Sequence, residues 1–287
     1  MNRAKKVIRI LREDKHPWRR LLASLMGRLP FDIARILTVK IQVRDYAILL
    51  HSTSSLSLAF WCNSNSRGGD YEFLTSYLRP GDVYLDIGAN IGTTLIPAAK
   101  RVEGGQALGF EPHPEIFRFL QENVALNGLT ERVVVRNCAL GNRTGHVIFS
   151  NERNDDRNRV MSGGKGVEVE MMTLDDIGQE YARVDLIKVD VEGYEKYVFE
   201  GGRNTLAKTE CVYFEVCEEH FQHFGYSIRD VLAMLEELGF TLFRKEGERA
   251  VRSVDRDHLL SEHHTNLIAM KDVDAFLGRT GWRRLPL

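Results

Sequence analysis

The 287-residue sequence predicts a doubly wound α/β fold, and three observations predict it. Strand-like apolar runs alternate with helical patterns between residues 83 and 216, the rhythm of repeated β-α-β units. The first of these strands, Val83–Ile87, breaks into Gly88-Ala89-Asn90-Ile91-Gly92 ahead of a helix. The second ends in an acid, Glu111, where ligands of such sheets gather beyond the carboxyl ends of the strands.

The elements follow in order. Leu21, Leu22, Leu25, Met26 and Leu29 fall at helical spacing, so the leader reads as two or three short helices interrupted around Pro17 and Pro30. Extended segments are expected at 41–50 and 57–61, then a loop at 63–70 rich in Asn, Ser and Gly. A short helix at 71–78 stops at Arg79-Pro80-Gly81. From there the pattern gives strand 83–87, helix 93–101, strand 106–110, helix 114–127 and strand 133–138. Two β-like runs, 146–150 and 167–172, flank the polar stretch 151–166, which reads as a mobile insertion beside the site. Strand 184–189, helix 195–207, strand 211–216, helix 228–238, strand 241–245 and a last strand 264–270 complete the chain. Residues 1–70 are thus expected to form an N-terminal helical and β extension, and 71–287 the main domain carrying the insertion.

A net charge of −1 conceals an asymmetry. Residues 1–40 hold eleven Lys or Arg against three acids, +8, which leaves 28 against 37, or −9, for the rest. Such a leader suits peripheral contact with an anionic surface, or is a helical appendage packed on the main domain. The acidic remainder has no basic stripe interleaved with aromatics, which argues against nucleic acid. Cys62, Cys138, Cys211 and Cys217 form no C-x-x-C pair and no zinc spacing, so they read as reduced core residues of a reducing, cytoplasmic compartment. No run of about 18 apolar residues predicts a transmembrane span.

In the turn after the first strand, Gly88 and Gly92 allow positive φ and close backbone approach, with helix N-terminal amides facing a ligand; a tight turn without a ligand would use the same residues. The spacing fits neither G-x-G-x-x-G nor G-x-x-x-x-G-K-[ST], since no lysine appears before Lys100. Pyrophosphate ligands therefore lose ground. Glu111, ahead of Pro112-His113-Pro114, can accept both hydroxyls of a ribose or can complement a helix N-terminus.

Five ordered blocks carry a resemblance: VYLDIGANIGTTLIPAAKRV, GFEPHPEIFRFLQENVALNG, RNCALGNRTG, MTLDD and DLIKVDVEGYEKYVFEGG. Over about residues 71–217 the sequence resembles the FkbM family of S-adenosylmethionine-dependent methyltransferases. The resemblance implies a Rossmann-like class I methyltransferase sheet, mostly parallel with an antiparallel last strand. It implies that Asp86, Gly88, Ala89, Asn90 and Gly92 wrap the methionine and ribose of S-adenosylmethionine and that Glu111, with Pro112 beside it, grips the ribose hydroxyls. Asn137, Cys138 and Ala139 would flank the adenine, and Asp190 would face the methionine end and the acceptor. Glu72, just upstream, is a candidate for the cofactor's amino group, or a helix-surface acid.

Methyl transfer from a sulfonium needs the acceptor held in line and, for an alcohol, a base. Asp190 and Glu192 end the fourth strand; in continued extended geometry both would face one side, as acid-base pair or cation ligands. Glu192 can equally be the acid of the next helix's N-terminus, and Lys188 is expected to pair with an acid inside the sheet. Glu215, at the end of the fifth strand, and His220 are candidates for the substrate side. No metal is expected, for want of a recognisable third ligand beside His220 and His223. These readings converge on O-methylation of a hydroxyl on a sugar, glycan or other small metabolite. The alternatives are methylation of nucleic acid or protein, or a non-catalytic module that keeps the cofactor fold.

Overall fold

A computed structural model describes residues 17–29, 32–151, 158–161, 163–255, 259 and 264–286. The first sixteen residues of the leader and residues 152–157 and 162 of the insertion lie outside the described residues.

Among the described residues the first elements are α1 (Pro17–Met26) and α2 (Ile33–Leu37), then the antiparallel hairpin of β1 (Lys40–Val43) and β2 (Tyr46–Leu49). Next come α3 (Ser55–Cys62) and α4 (Gly68–Tyr77). The segment expected to be extended at 57–61 is therefore helical. The reason is local: the Ser54 side chain accepts the Ser57 N–H and caps the turn, and Leu56, Ser57 and Phe60 bury one face. The helix expected from residue 71 starts three residues earlier, at Gly68.

The main sheet then winds through β3 (Val83–Ile87), α5 (Leu95–Arg101), β4 (Gln106–Phe110), α6 (Pro114–Leu126) and β5 (Val133–Arg136). At that point the chain leaves it for a second sheet of β6 (Ala139–Gly141), β7 (Gly145–Phe149), β8 (Val160–Met161) and β9 (Val167–Thr173), in the order β6-β9-β7-β8. After α7 (Leu174–Gly178) it returns through β10 (Val184–Val189), α8 (Glu195–Glu200), α9 (Arg203–Ala207) and β11 (Thr209–Val216). The single helix expected at 195–207 is split at Gly201-Gly202, where Gly201 passes so close to β6 that a Cβ would meet the Gly141 carbonyl at 2.0 Å. The remainder is α10 (Glu218–His223), α11 (Ile228–Glu237), β12 (Thr241–Lys245), β13 (Ala250–Ser253), β14 (Thr265–Met270), α12 (Val273–Thr280) and β15 (Arg283–Arg284).

Nine strands line up as β15-β13-β12-β14-β11-β10-β3-β4-β5. Strands β11, β10, β3, β4 and β5 are parallel, while β14 runs antiparallel between β11 and β12. Both faces are covered, as an all-buried β10 requires. One face packs Tyr84, Leu186, Tyr213 and Ile268 against the hairpin, α3, α4, α5 and α6; Ile41, Ile48, Leu56 and Phe60 of the N-terminal segment belong to that same core. The other packs Ile87, Val189 and Phe214 against the later helices. The open edge of β2 is closed by side chains of α6: Leu49 N–H donates to Asn123 Oδ1 at 2.7 Å and Ala47 N–H to Asn127 Oδ1 at 3.0 Å.

The winding reverses at β3, with β4 on one side and β10 on the other. The carboxyl ends of β3 and β10 therefore meet, and a cavity opens there. All four cysteines are free. Among the described residues no helix is long and apolar enough to cross a membrane.

Candidate active site

The glycine turn is shaped by the neighbouring strand as much as by any ligand. Gly88 has φ +80°, and a Cβ there would meet the Asp190 carbonyl oxygen at 1.9 Å. Only glycine lets the ends of β3 and β10 come together at this point. The Gly88 and Ala89 amides both donate to the Phe110 carbonyl at 3.0 Å, tying the turn to β4. Asn90 adopts φ +47° and its amide donates to Glu111 Oε2 at 3.0 Å. Gly92, expected to approach a ligand, instead faces protein: a Cβ would meet Leu120 Cδ1 at 2.8 Å, and the residue is no part of the cavity wall.

Glu111 is held at that wall by two backbone amides, Asn90 on Oε2 and His113 at 2.8 Å on Oε1. Asn137 Nδ2 donates to the carbonyls of Glu111 and Pro112 at 2.8 and 2.9 Å, so it steadies the acid's backbone. The cavity, about 590 Å³ and open to solvent, is lined on this side by Gly88, Ala89, Asn90, Glu111 and Pro112. A narrower, mostly apolar slot adjoins it, sharing Gly88, Pro112, Phe149 and Val191, with Cys138, Ala139 and Tyr194 on its walls.

Across the cavity the wall is formed by Lys188 and Asp190, backed by a buried polar row. Asp86, Lys188 and Tyr213 lie side by side across β3, β10 and β11. Asp86 is fully buried and does not line the cavity; its Oδ2 accepts the Thr94 hydroxyl at 2.7 Å and its Oδ1 lies 3.5 Å from Lys188 Nζ. Asp86 therefore supports the cavity floor through Thr94 and Lys188, both of which line it. Lys188 also reaches Asp190 Oδ2 at 3.3 Å, and Arg67 Nη1 meets the same oxygen at 3.2 Å. Burial alone would raise Asp190, but Lys188 and Arg67 hold its carboxyl down to about 2, so it is a carboxylate throughout the working pH range. Tyr213 donates to Asp70 Oδ1 at 2.6 Å, which anchors the start of α4 over this row.

Glu192 does not continue the strand. Its φ of +55° turns the chain, and the helix-terminal acid is Glu195, whose Oε1 accepts the Val191 N–H at 3.0 Å. Released from that role, Glu192 lines the cavity and places Oε2 3.3 Å from His220 Nδ1. Ligand atoms of Glu192, Glu215 and His220 all lie within 4.8 Å of one another, as do those of Cys217, His220 and His264. Burial first, then the charges of Asp190, Glu192 and Glu195, push Glu215 up to about 9. Burial and the neighbouring His264 lower His220, leaving a neutral imidazole at pH 7. Glu72 is elsewhere: it pairs with Lys245 at 2.5 Å and is absent from the cavity wall.

Arg67, Thr93, Thr94, Phe149 and Asn158 line the cavity too and are not among the residues the sequence singles out. Arg67 sits at φ +54° just before α4, and nothing in a polar loop marks one arginine from another. Asn158 belongs to the insertion expected beside the site; its side chain is buried and accepts the Ser150 hydroxyl at 3.0 Å.

A doubly wound sheet whose switch point carries a glycine turn, an acid ending the next strand and a carboxylate ending the strand across is the arrangement of Rossmann-like methyltransferases. The methyltransferase FkbM domain model matches residues 86–242, more than half of the chain, and the chain belongs to that family of S-adenosylmethionine-dependent methyltransferases. It is similar to the 2-O-methyltransferase NoeI of Sinorhizobium fredii, 29% identical over 178 residues that cover 55% of this chain and 72% of the relative. The 31-O-demethyl-FK506 methyltransferase FkbM of Streptomyces tacrolimicus is 28% identical over 204 residues, 59% of this chain and 76% of the relative. The hexuronic acid methyltransferase AglP of Haloferax volcanii is 28% identical over 160 residues, 54% and 62% respectively.

Proposed function

We propose that this enzyme methylates an oxygen of a sugar or other small metabolite, and that S-adenosylmethionine lies along the cavity from the Cys138–Ala139 slot, past Glu111, to Asp190. The observation that carries the reading is Glu111: two backbone amides aim its carboxylate at the cavity wall. An ionised carboxylate only accepts, which suits the paired hydroxyls of a ribose. The adjoining slot, walled by Pro112, Cys138, Ala139, Phe149 and Tyr194, suits a flat apolar ring. Asp190, kept ionised by Lys188 and Arg67, suits an ammonium group.

When bound, the cofactor supplies an electrophilic methyl group. The chain's own task is to hold the acceptor oxygen in line with it, exclude water and take the hydroxyl proton. Asp190 is too acidic to take a proton, which leaves the cluster beyond it. His220, neutral and 3.3 Å from the Glu192 carboxylate, is the base of this reading, and Glu192 stabilises the imidazolium as it forms. Residues 71–287 act as the catalytic unit and 151–166 as its acceptor-side insertion, with the 1–70 extension contributing Leu56 and Arg67 to the cavity.

The acceptor class rests on the relatives, whose names specify a 2-O position, a 31-O position and a hexuronic acid. A nucleic-acid acceptor would meet a chain that is −9 beyond residue 40.

Calorimetric titration with S-adenosylhomocysteine, repeated on Glu111→Ala, tests the cofactor site. Removing a charged acceptor of two hydroxyls is expected to weaken binding by roughly 1.5–3 kcal/mol, about ten- to a hundredfold. Equal affinity in the variant would refute the placement. Transfer of labelled methyl to sugar and uronic acid acceptors, compared with RNA and peptide pools, then tests the acceptor class.

A further inference from the structure

Five large apolar side chains are exposed among the described residues, and four of them fall between positions 18 and 36: Trp18 at 71%, Leu22 at 50%, Leu25 at 60% and Ile36 at 75%. Trp18, Leu22 and Leu25 are spaced i, i+4 and i+7 on α1, which places them along one stripe. The opposite side of the helix is already used. Ala23 is buried, Met26 packs against the main core, and Gly27 abuts Leu58 of α3. Arg19 lies over the Trp61 ring at 5.0 Å and donates to the Trp61 carbonyl. The helix is therefore fixed by its inner face with the stripe turned outward.

Charge collects on the same segment. Arg19, Arg20 and Arg28 are exposed beside the stripe, and residues 1–40 total +8 in a chain that is otherwise −9. A strip of Trp and Leu bordered by arginines matches the boundary between lipid headgroups and acyl chains, where apolar side chains sink and cations meet phosphates. A second copy of the chain would bring Arg19, Arg20 and Arg28 against their own counterparts, and an acidic protein alone would leave the apolar strip unused.

We propose that α1 docks the enzyme on a bilayer carrying anionic lipid, lying in the plane of the interface with Trp18, Leu22 and Leu25 inserted. The same helix packs on α3, whose Leu56 lines the active-site cavity, so docking would bring the cavity close to membrane-bound acceptors. The inference stands on the surface alone and holds whatever the acceptor proves to be.

The test is co-sedimentation of the full chain with vesicles of phosphatidylcholine alone and of phosphatidylcholine mixed with phosphatidylglycerol. Binding to the mixed vesicles is expected to be at least about tenfold stronger and to fall with added salt. Leu22→Glu/Leu25→Glu, which alters only exposed positions, should abolish it while leaving S-adenosylhomocysteine affinity unchanged. Tryptophan emission should shift to the blue on mixed vesicles, and the shift should vanish in Trp18→Phe. Equal binding to both vesicle types, or undiminished binding by the double variant, would overturn the proposal. So would a vesicle-free dimer that the double variant dissolves, or binding to poly-glutamate as tight as to the mixed vesicles.

Discussion

Gly88 and the carbonyl oxygen of Asp190 are so close that a Cβ on the glycine would stand 1.9 Å from that oxygen. The obstacle is backbone, which cannot rotate aside, and the glycine's φ is +80°. Gly88→Ala must therefore force the ends of β3 and β10 apart. A loss of about 2–4 kcal/mol in unfolding free energy is expected from overpacking and positive-φ strain together. Chemical denaturation measures the first effect and calorimetry the accompanying loss of S-adenosylhomocysteine binding. A variant of near wild-type stability would mean that the strand ends can separate freely.

Lys188 stands between two buried acids, 3.5 Å from Asp86 and 3.3 Å from Asp190. Lys188→Met keeps the volume and removes the only lysine of this cluster. Asp190 keeps Arg67, but leaving the fully buried Asp86 without its cation costs on the order of 3–5 kcal/mol at pH 7. The sign with pH follows from linkage. With Lys188 gone Asp86 titrates upward, so the variant's deficit should shrink as pH falls toward 4 and this carboxyl takes up its proton. Urea unfolding at pH 7 and pH 4.5 would show it; a deficit independent of pH would assign the loss to packing.

Glu72 pairs with Lys245, and the Lys245 ammonium lies 5.7 Å from the centroid of the Trp282 ring. Glu72→Gln should leave S-adenosylhomocysteine affinity within about twofold, because a partly exposed ion pair contributes at most about 1 kcal/mol and none of it points at the cavity. A tenfold loss would return Glu72 to the cofactor site.

Why Glu111 was legible in the sequence and Arg67 was not is a question of how each is positioned. Glu111 ends a strand whose apolar run marks its own boundary, so the place of its side chain follows from period and topology. The bounds of Val83–Ile87, Gln106–Phe110 and Val184–Val189 are legible to the residue for the same reason. Arg67 reaches Asp190 across 123 positions from an irregular loop, and such contacts depend on tertiary packing. Glu192 shows the limit in the other direction. Extended geometry predicted that it would share a face with Asp190, but a left-handed turn before Gly193 sends it to His220. The helix at 55–62 is hidden in the sequence because its composition suits a strand, while the Ser54 cap and the buried face of Leu56 and Phe60 decide against one.

Glu215 offers a test in which the direction of the effect is fixed beforehand. Burial and the charges of Asp190, Glu192 and Glu195 push its carboxyl from an ordinary 4.5 up to about 9. Between those values the folded protein holds a proton that the unfolded chain has released, so this residue makes stability fall as pH rises from about 4.5 to about 9. Glu215→Gln cannot titrate and removes that decline. Glu195, pushed up to about 8, acts over much of the same window but is present in both proteins, so most of its contribution cancels. The variant should match wild type near pH 4.5 and exceed it by about 1–3 kcal/mol at pH 9, roughly 2–10 °C in Tm for a chain of this size. Thermal unfolding across that range decides the matter: a variant less stable than wild type at pH 9 would show that Glu215 is ionised there and bound to Arg67 or a cation.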